Sequence, residues 1–364
     1  MRLRRLAALA VVPTLLLSAC GGAGDDDGSV TLRVATGLSE NHVWWDSALE
    51  PWMERVEELS DGAVTFETFT GGELVEVPDE VEAVRNGTVD IALILPIYTP
   101  DQFPMAEVAM LPTSQSDAIV ASEAWRALIE DDATLGDATF YDSEYADKDL
   151  KVLPLSATQE YSISTVDKEL DSVDAIRGTS LRTASRIHEI YADEIGVDSV
   201  TIPAVDMFDA LSRGAFDGSF YPYADWSGYG FQDLFKNTLT DLNFGHFNAL
   251  IGMNQSTWDD LPEGVADAMT QAHDEIFLQA AEEYEKRAAE MVEENEAVGG
   301  TFVSVNDLDP EVRTYLEGGV EETWNRYIEL LEEEGLPGRE LALRWRDLVV
   351  EAGGEVPDAI ADLD

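Results

Sequence analysis

The chain has 364 residues, 45% of them hydrophobic, and its 74 acidic and 22 basic side chains give a formal net charge of −52. This length predicts two lobes or domains, and the apolar content is that of a globular protein rather than a disordered one. The charge argues against nucleic acid and anionic membrane surfaces as partners, because both would repel so acidic a protein. Because the acid is spread along the chain, we hypothesise a protein adapted to concentrated salt, which screens self-repulsion.

The first residues are typical of a secretion signal. Three arginines among the first five residues precede an apolar run over residues 6–16 that is too short to span a bilayer. The sequence Leu17-Ser18-Ala19-Cys20 then resembles a bacterial lipoprotein lipobox, and Cys20 is the only cysteine. We predict a signal peptide over residues 1–19, lipidation of Cys20 and a flexible acidic tether over residues 20–29. An ordinary signal peptide with an incidental cysteine is the alternative.

The first part of the mature chain alternates strand and helix patterns. Residues 30–35, 63–69 and 89–95 are strand-like, and the segments between them, 44–59 and 79–85, have apolar residues at helical spacing. Such alternation with short connections predicts an α/β lobe with a largely parallel sheet.

The segment from Leu181 to Tyr229 repeats this β-α-β-α-β order and carries the most informative residues. Arg182 lies at the end of its first strand, and its third strand leads into aromatic residues that include Tyr221 and Trp226. Ligands of parallel sheets bind beyond the carboxyl ends of the strands, and an arginine between aromatic walls suits a small carboxylate. On spacing alone, a salt bridge for Arg182 and core packing for the aromatic residues remain open.

Residues 82–92 and 209–219 resemble each other, since each has a helix end, a glycine suited to the left-handed conformation and a strand entered through an apolar-Asp pair. We interpret this similarity as a sign of two lobes that share one topology and face a common cleft. Junctions of this kind are common in α/β proteins, so the similarity alone is modest support.

The longest helical pattern covers residues 262–295, with one apolar stripe, and we expect this helix to bridge both lobes. Lobe I is predicted to comprise residues 30–156 and 247–288. Lobe II is predicted to comprise residues 157–246 and 289–353, followed by a loose acidic tail over residues 354–364.

Sequence motifs for metal or covalent chemistry are lacking. The four histidines have no metal-ligand spacing, and neither a nucleophile elbow nor a Walker A or EF-hand motif occurs. His42 lies near the expected cleft, where a plain loop histidine is the favoured interpretation, and His273 is expected to be solvated. We predict no cofactor, no metal and no enzymatic activity.

The chain resembles the DctP-type solute-binding proteins of tripartite ATP-independent periplasmic (TRAP) transporters. The resemblance extends from about residue 30 to residue 350 and rests on Gly178-Thr179-Ser180-Leu181-Arg182, Ile202-Pro203, Asp206-Met207-Phe208-Asp209-Ala210-Leu211, Gly71-Gly72-Glu73-Leu74, Arg85-Asn86-Gly87-Thr88-Val89-Asp90-Ile91, Met110-Leu111-Pro112 and Gly335-Leu336-Pro337-Gly338. It implies a two-lobe periplasmic-binding-protein-like fold with crossing strands, a long bridging helix and a ligand cleft between the lobes. It also implies closure on a small organic acid and delivery to a membrane permease.

The family arginine that pairs with the substrate carboxylate matches Arg182 in the motif G-x-x-L-R. The sialic-acid binders of the family have a second arginine one strand earlier, where this chain has Tyr161 and its neighbours, and an asparagine close to the position of Tyr221. We therefore expect an aromatic pocket and a monocarboxylate with an apolar or aromatic body. The predicted substrate contacts are Arg182, Tyr161, Tyr221, Trp226, Tyr98 and Glu73.

The resulting prediction is a lipid-anchored extracytoplasmic receptor that captures a small organic carboxylate and passes it to integral-membrane TRAP permease subunits. The alternatives are a lipoprotein enzyme that uses cleft carboxylates, and the capture module of a sensor or of an ABC-type importer. Acidic groups near the cleft, namely Glu73, Glu160 and Asp225, would permit a co-bound cation.

Overall fold

The computed structural model describes residues 29–363, which form two large β-sheets flanked by helices and one short two-stranded sheet. The predicted signal peptide, the lipidation site Cys20 and most of the predicted tether lie outside the described residues. Within residues 29–363, no helix combines the length and the apolar character that a membrane span requires.

The strands of the described residues are β1 (Val30–Ala35), β2 (Val64–Phe69), β3 (Ile91–Ile94), β4 (Thr134–Leu135), β5 (Ala138–Thr139), β6 (Leu150–Pro154), β7 (Ser162–Thr165), β8 (Ser180–Thr183), β9 (Asp198–Thr201), β10 (Gly218–Tyr221), β11 (Asn237–Thr240), β12 (Leu250–Asn254) and β13 (Thr301–Ser304). The α-helices are α1 (Glu50–Leu59), α2 (Glu80–Arg85), α3 (Ala118–Ile129), α4 (Phe140–Glu144), α5 (Val173–Arg177), α6 (Arg186–Glu194), α7 (Met207–Ser212), α8 (Trp226–Tyr229), α9 (Gln255–Asp259), α10 (Val265–Ile276), α11 (Gln279–Ala297), α12 (Pro310–Glu333), α13 (Gly338–Glu351) and α14 (Asp358–Ala361).

The two large sheets share one topology. The first has the order β2-β1-β3-β12-β6, and the second has the order β9-β8-β10-β7-β11-β13. In each sheet the first three strands are parallel, the fourth is antiparallel to the third, and the fifth is antiparallel to the fourth. The prediction of two lobes on one plan is thereby confirmed, and so is the parallel β-α-β-α-β unit of residues 181–229.

The two similar segments, residues 82–92 and 209–219, make equivalent contacts in their lobes through an aspartate. Asp90 accepts a hydrogen bond from the backbone N–H of Arg33 in β1 at 2.8 Å, and the Arg33 side chain also binds this carboxylate. Asp217 accepts a hydrogen bond from the N–H of Ser180 in β8 at 2.8 Å and forms an ion pair with Lys168 at 2.8 Å. The carboxylate thus ties the start of the third strand in each sheet order to the neighbouring second strand, β3 to β1 and β10 to β8.

Two crossing segments, 155–161 and 244–249, connect the lobes side by side. Backbone hydrogen bonds of 2.9 Å run from the N–H of Leu155 to the carbonyl of Ala249, from Thr158 to Phe247 and from Tyr161 to Gly245. This antiparallel ribbon confirms the predicted crossing strands and places Tyr161 between the lobes.

The bridging helix is interrupted, whereas the sequence predicted one continuous helix over residues 262–295. It divides into α10 and α11, which are separated by Phe277 and Leu278. The predicted apolar stripe is buried throughout, from Val265 to Met291. Helix α10 packs on α1 of the first lobe, and α11 contacts elements of both lobes, so the interruption lies between a part that packs on one lobe and a part that packs on both. His273 is buried, not solvated as predicted, because its Nε2 donates to the carbonyl of Pro154 at 2.6 Å.

The C-terminal region lies against the first lobe. Helix α13 packs on α3, and the Glu340 carboxylate accepts a 2.7 Å hydrogen bond from the N–H of Gly136. The sequence had assigned this helix to lobe II, and the lobe boundaries otherwise stay a prediction. The tail was expected to be loose, but it packs on the fold, because Ile360 is fully buried and Glu355 pairs with Gln115.

Candidate ligand-binding cleft

A small cavity lies where the two sheets and the crossing segments meet. Its walls combine residues of the first lobe, of the crossing segments and of the second lobe: Leu38, His42, Trp44, Leu95, Tyr98, Thr158, Tyr161, Ala204, Tyr221, Asp225, Tyr229 and Phe247. The cavity measures about 20 Å³, which is the space of a single water molecule. Ligand pockets usually measure roughly 300–1,000 Å³, so this cleft has to open to admit a solute.

Arg182 lies beside this cavity in β8, and its side chain is wholly buried. Its Nε donates to the carbonyl of Ile202 at 2.8 Å, and its Nη1 lies 3.4 Å from the carbonyl of Phe220. Its Nη2 lies 3.5 Å from the hydroxyl of Tyr98 in the other lobe, and its Cζ lies 5.7 Å from the centre of the Tyr221 ring. Only the first of these hydrogen bonds is short, so the Nη groups keep capacity for a stronger acceptor.

Among the described residues, no carboxylate oxygen lies within 4 Å of Arg182, although the chain has 74 acidic residues. Arg186, four residues later, shows the contrast, because its guanidinium pairs with the buried Glu107 at 2.5 Å and with Glu334 at 3.1 Å. A buried charge without a counter-ion is costly. Arg182 is therefore not the ordinary salt bridge that its sequence context left open.

Tyrosines and a phenylalanine form the wall next to this arginine. The ring of Tyr161 lies 5.9 Å from that of Tyr221 and 6.4 Å from that of Phe247, and the ring of Tyr98 lies 4.9 Å from that of Phe247. Burial raises the pKa values of Tyr161 and Tyr221 well above the usual range, so both phenols stay protonated. The wall offers apolar ring surface together with neutral hydroxyl groups.

His42 and Asp225 also line the cavity. His42 accepts a hydrogen bond at Nδ1 from the N–H of Trp44 at 3.2 Å, which places its proton on Nε2. Burial lowers the pKa of His42 to about 3, with a contribution from Arg287 in the same direction, so this histidine is neutral. Burial raises the pKa of Asp225 to about 7, and the nearby Arg287 opposes that rise.

The structure brings together four of the six predicted substrate contacts, namely Arg182, Tyr161, Tyr221 and Tyr98. Trp226 is buried in the second lobe, where its ring lies 5.0 Å from that of Phe235 and 6.1 Å from that of Phe302, and it does not line the cavity. Its core position is the packing alternative that the sequence left open. Glu73 is exposed in the loop after β2 and does not line the cavity either.

Sequence reasoning misses several lining residues. The sequence favours a plain loop histidine at His42, and it indicates Asp225 only as a group that would permit a co-bound cation. The crossing-segment residues Thr158 and Phe247 carry no motif, and only their place beside Tyr161 in a paired ribbon identifies them. Within residues 29–363, no group of three or more metal-ligating side chains could hold a metal ion.

A larger surface cavity of about 230 Å³ lies beside β11 and β13. Its walls include Glu169 and Asp171 but no basic side chain, which makes it a poor receptor for an organic acid.

Comparisons with known proteins point to one family. The family model described as "Bacterial extracellular solute-binding protein, family 7", named DctP, matches residues 34–330. The ectoine-binding periplasmic protein TeaA of Halomonas elongata is 23% identical over 77% of this chain and 80% of its own length. The C4-dicarboxylate-binding periplasmic protein DctP of Rhodobacter capsulatus is 24% identical over 64% of this chain and 69% of its own length.

Solved structures share the fold. A marine metagenome TRAP solute-binding protein specific for aromatic acid ligands, in complex with metahydroxyphenylacetate, superposes with a TM-score of 0.80 at 22% identity and covers 89% of this chain and 100% of its own. A TRAP solute-binding protein of Rhodoferax ferrireducens with copurified benzoate gives a TM-score of 0.77 at 21% identity, covering 89% of this chain and 98% of its own. The chain therefore belongs to the DctP family of bacterial extracellular solute-binding proteins, the solute-binding components of TRAP transporters.

Proposed function

We propose that this protein is a lipid-anchored extracytoplasmic receptor that captures a small organic monocarboxylate between its lobes and delivers it to a TRAP permease. The observation that carries the proposal is the state of Arg182, a wholly buried guanidinium beside the cleft with no carboxylate of the described residues within 4 Å. A ligand carboxylate would supply the missing counter-charge through paired, charge-assisted hydrogen bonds.

The walls of the cleft favour an acid with an apolar or aromatic body. The rings of Tyr161, Tyr221 and Phe247 would cover the faces of such a ligand, and no second basic side chain apart from the neutral His42 lines the cavity. The aromatic acids bound by two structural neighbours agree with this choice but come from proteins no more than 22% identical.

Capture requires a conformational cycle. The cavity of about 20 Å³ is too small for a benzoate-sized molecule, whose pocket would be roughly an order of magnitude larger. Bending of the ribbon formed by residues 155–161 and 244–249 would separate the lobes and admit the ligand. Closure would then bring Tyr98 of the first lobe back to Arg182 of the second.

Membrane attachment is proposed from the sequence alone, through acylation of Cys20 after removal of residues 1–19. Metabolic labelling with a radioactive fatty acid tests this, since the native protein should be labelled and membrane-bound whereas Cys20→Ser should be neither. Labelling of the variant would contradict the assignment.

A thermal-shift screen of organic acids at high salt tests the receptor function, because a ligand that binds only the folded state raises the melting temperature. Aromatic and short aliphatic monocarboxylates should stabilise the native protein and leave Arg182→Ala unchanged. Chromatographic recovery of the acids unaltered after incubation would support a receptor. Their conversion into products would instead support the enzyme alternative.

A further inference from the structure

We infer that the cleft accepts a monocarboxylic acid that carries a hydrogen-bond donor, a hydroxyl or an ammonium group, away from its carboxylate, and that Asp225 is the acceptor that recognises this donor and rejects dicarboxylates. The inference rests on the proposed function, because it takes Arg182 as the partner of the ligand's carboxylate.

Asp225 is the one carboxyl side chain among the residues that line the cavity. It is 7% exposed and belongs to the short 3₁₀ turn Tyr223–Asp225 that follows β10. Among the described residues, no arginine, lysine or histidine nitrogen lies within 4 Å of its oxygens. A carboxyl group in this position has acceptor capacity but no ion pair of its own.

The nearest arginine is already engaged. Arg287 binds Asp46 through Nη2 at 2.7 Å and Glu283 through Nε at 2.8 Å, so its charge is shared between two other carboxylates. His42 cannot replace it as a cation, because burial keeps this histidine neutral. The end of the cavity around Asp225 therefore lacks a positive charge that would offset a second ligand carboxylate.

The tyrosine wall lies between this acidic end and Arg182. Burial raises the pKa of the Tyr161 phenol. The charge of Arg182 lowers this pKa and the charge of Asp225 raises it, so Tyr161 interacts electrostatically with both groups. Burial likewise raises the pKa of Tyr229, which Asp225 raises further and Arg182 lowers. Tyr221, whose ring centre lies 5.7 Å from the Cζ of Arg182, lines the same cavity as Asp225. An acid in the opened cleft would therefore lie between Arg182 and Asp225.

Arg182 and Asp225 favour different chemical groups on the ligand. A carboxylate is attracted to Arg182. Above the pKa of about 7 that burial gives Asp225, this group is ionised, and a second ligand carboxylate near it would place two like charges in a buried space, which is strongly unfavourable. The titrations below are therefore run above that pH. A hydroxyl or ammonium group would instead satisfy the Asp225 oxygens, and hydrogen bonds to a charged group are stronger than those between neutral groups.

Isothermal titration calorimetry with a matched series tests the inference. The ligands are benzoate, 3-hydroxybenzoate, 3-(aminomethyl)benzoate and isophthalate, which differ only in the group at one ring position. The proteins are the native chain, Asp225→Asn and Glu144→Gln. Glu144 is a suitable control because burial raises its pKa to about 7, as it does for Asp225, yet it lies at the end of α4, outside the crossing segments, and does not line the cavity.

The native protein should bind the hydroxyl or the ammonium compound about tenfold more tightly than benzoate, and isophthalate more weakly than benzoate. Of 3-hydroxybenzoate and 3-(aminomethyl)benzoate, the compound that binds more tightly identifies the donor group that Asp225 prefers. Asp225→Asn should reduce the preference for a donor group and improve isophthalate binding, while Glu144→Gln should leave both unchanged.

The native protein alone can overturn the inference if isophthalate binds as tightly as 3-hydroxybenzoate, so the test does not depend on the folding of a variant. An unchanged donor preference in a folded Asp225→Asn protein would overturn it as well. Benzoate binding that is lost in Arg182→Ala preserves the proposed function in either case. If none of the acids binds the folded native protein, both the proposed function and the inference fail.

Discussion

Arg182 of the second lobe and Tyr98 of the first lobe lie 3.5 Å apart, from the guanidinium Nη2 to the phenol oxygen, so the charged group of the cleft touches the opposite lobe directly. This distance is at the limit of a hydrogen bond, and a ligand carboxylate would be a better partner for the same nitrogen. The contact therefore marks the place where a ligand would join the two lobes.

Arg182→Ala is expected to abolish binding of the monocarboxylate, with a loss of about 2–5 kcal/mol in binding free energy, because the ligand carboxylate would be left buried and unpaired. Calorimetric titration measures the change. Arg213→Ala is a matched control, since the Arg213 side chain is 75% exposed and lies on the surface of α7. Equal affinities for the native protein and Arg182→Ala would remove Arg182 from the site.

Tyr98→Phe and Tyr98→Ala separate the hydroxyl of this residue from its ring. Because the hydroxyl contact is long, the Phe variant should lose less than about tenfold in affinity. The Ala variant also loses the packing on Phe247, whose ring lies 4.9 Å away, at an additional cost of about 0.5–1.5 kcal/mol. Titration of both variants with the same acid checks the order, and equal losses would assign the effect to the hydroxyl.

Glu80 should make stability depend on pH. Burial raises its pKa from 4.5 to about 8, and its second oxygen has no hydrogen-bond partner among the described residues. Because the folded protein keeps this proton between those pH values while the unfolded chain releases it, the contribution of Glu80 to stability is lost as pH rises through that window.

In Glu80→Gln the free energy of unfolding should fall less steeply with pH and should exceed that of the native protein by about 1–3 kcal/mol near pH 8. Denaturant titrations across the pH range measure both quantities. Glu82→Gln is the control on the same helix, since the Glu82 side chain is 69% exposed. A pH profile of Glu80→Gln parallel to that of the native protein would refute the assignment.

The equivalent carboxylates Asp90 and Asp217 should contribute similarly to stability. Replacing either with Asn weakens a charge-assisted hydrogen bond to a strand and should lower the free energy of unfolding by about 1–2 kcal/mol. Since the two residues lie in different sheets, the double variant should show the sum of both losses. Asp209→Asn, on an exposed side chain of α7, is the control. A strongly non-additive double variant would contradict independent contacts.

The net charge of −52 should make the protein depend on salt. Raising the ionic strength from about 0.1 M to about 1 M shortens the Debye length from about 10 Å to about 3 Å and screens self-repulsion. The melting temperature is expected to rise with potassium chloride over this range. A melting temperature and solubility that are the same at low and high salt would disprove the hypothesis of adaptation to concentrated salt.

The sequence predicted the parallel units of both sheets because short strands, glycine turns and helical spacing are local signals. It also predicted that Arg182 and Tyr221 lie together, since each is near the carboxyl end of a strand and the two strands are neighbours in one sheet. The interruption of the bridging helix at Phe277 was not predictable, because neither proline nor glycine marks it and the two helical parts pack on different neighbours.

Trp226 shows the limit of reasoning from local pattern at the site, whereas Tyr98 was expected at the cleft and lies there. Trp226 belongs to the same aromatic cluster as Tyr221, but helix α8 turns its ring into the core of the second lobe. Tyr98 reaches Arg182 across the cleft although the two residues are 84 positions apart. Phe247 reaches the cavity wall because residues 244–249 pair with residues 155–161. This pairing depends on the tertiary structure and has no local sequence signal.

The crossing ribbon also supplies Thr158, Tyr161 and Phe247 to the cavity, so the segment proposed to bend is itself a wall of the candidate cleft. A solute in this cleft would therefore press on the hinge directly, without an intervening chain of contacts. The volume and shape of the solute would set the angle at which the lobes come to rest. A permease that senses that angle could distinguish a receptor carrying its proper cargo from an empty or wrongly loaded one without touching the cargo.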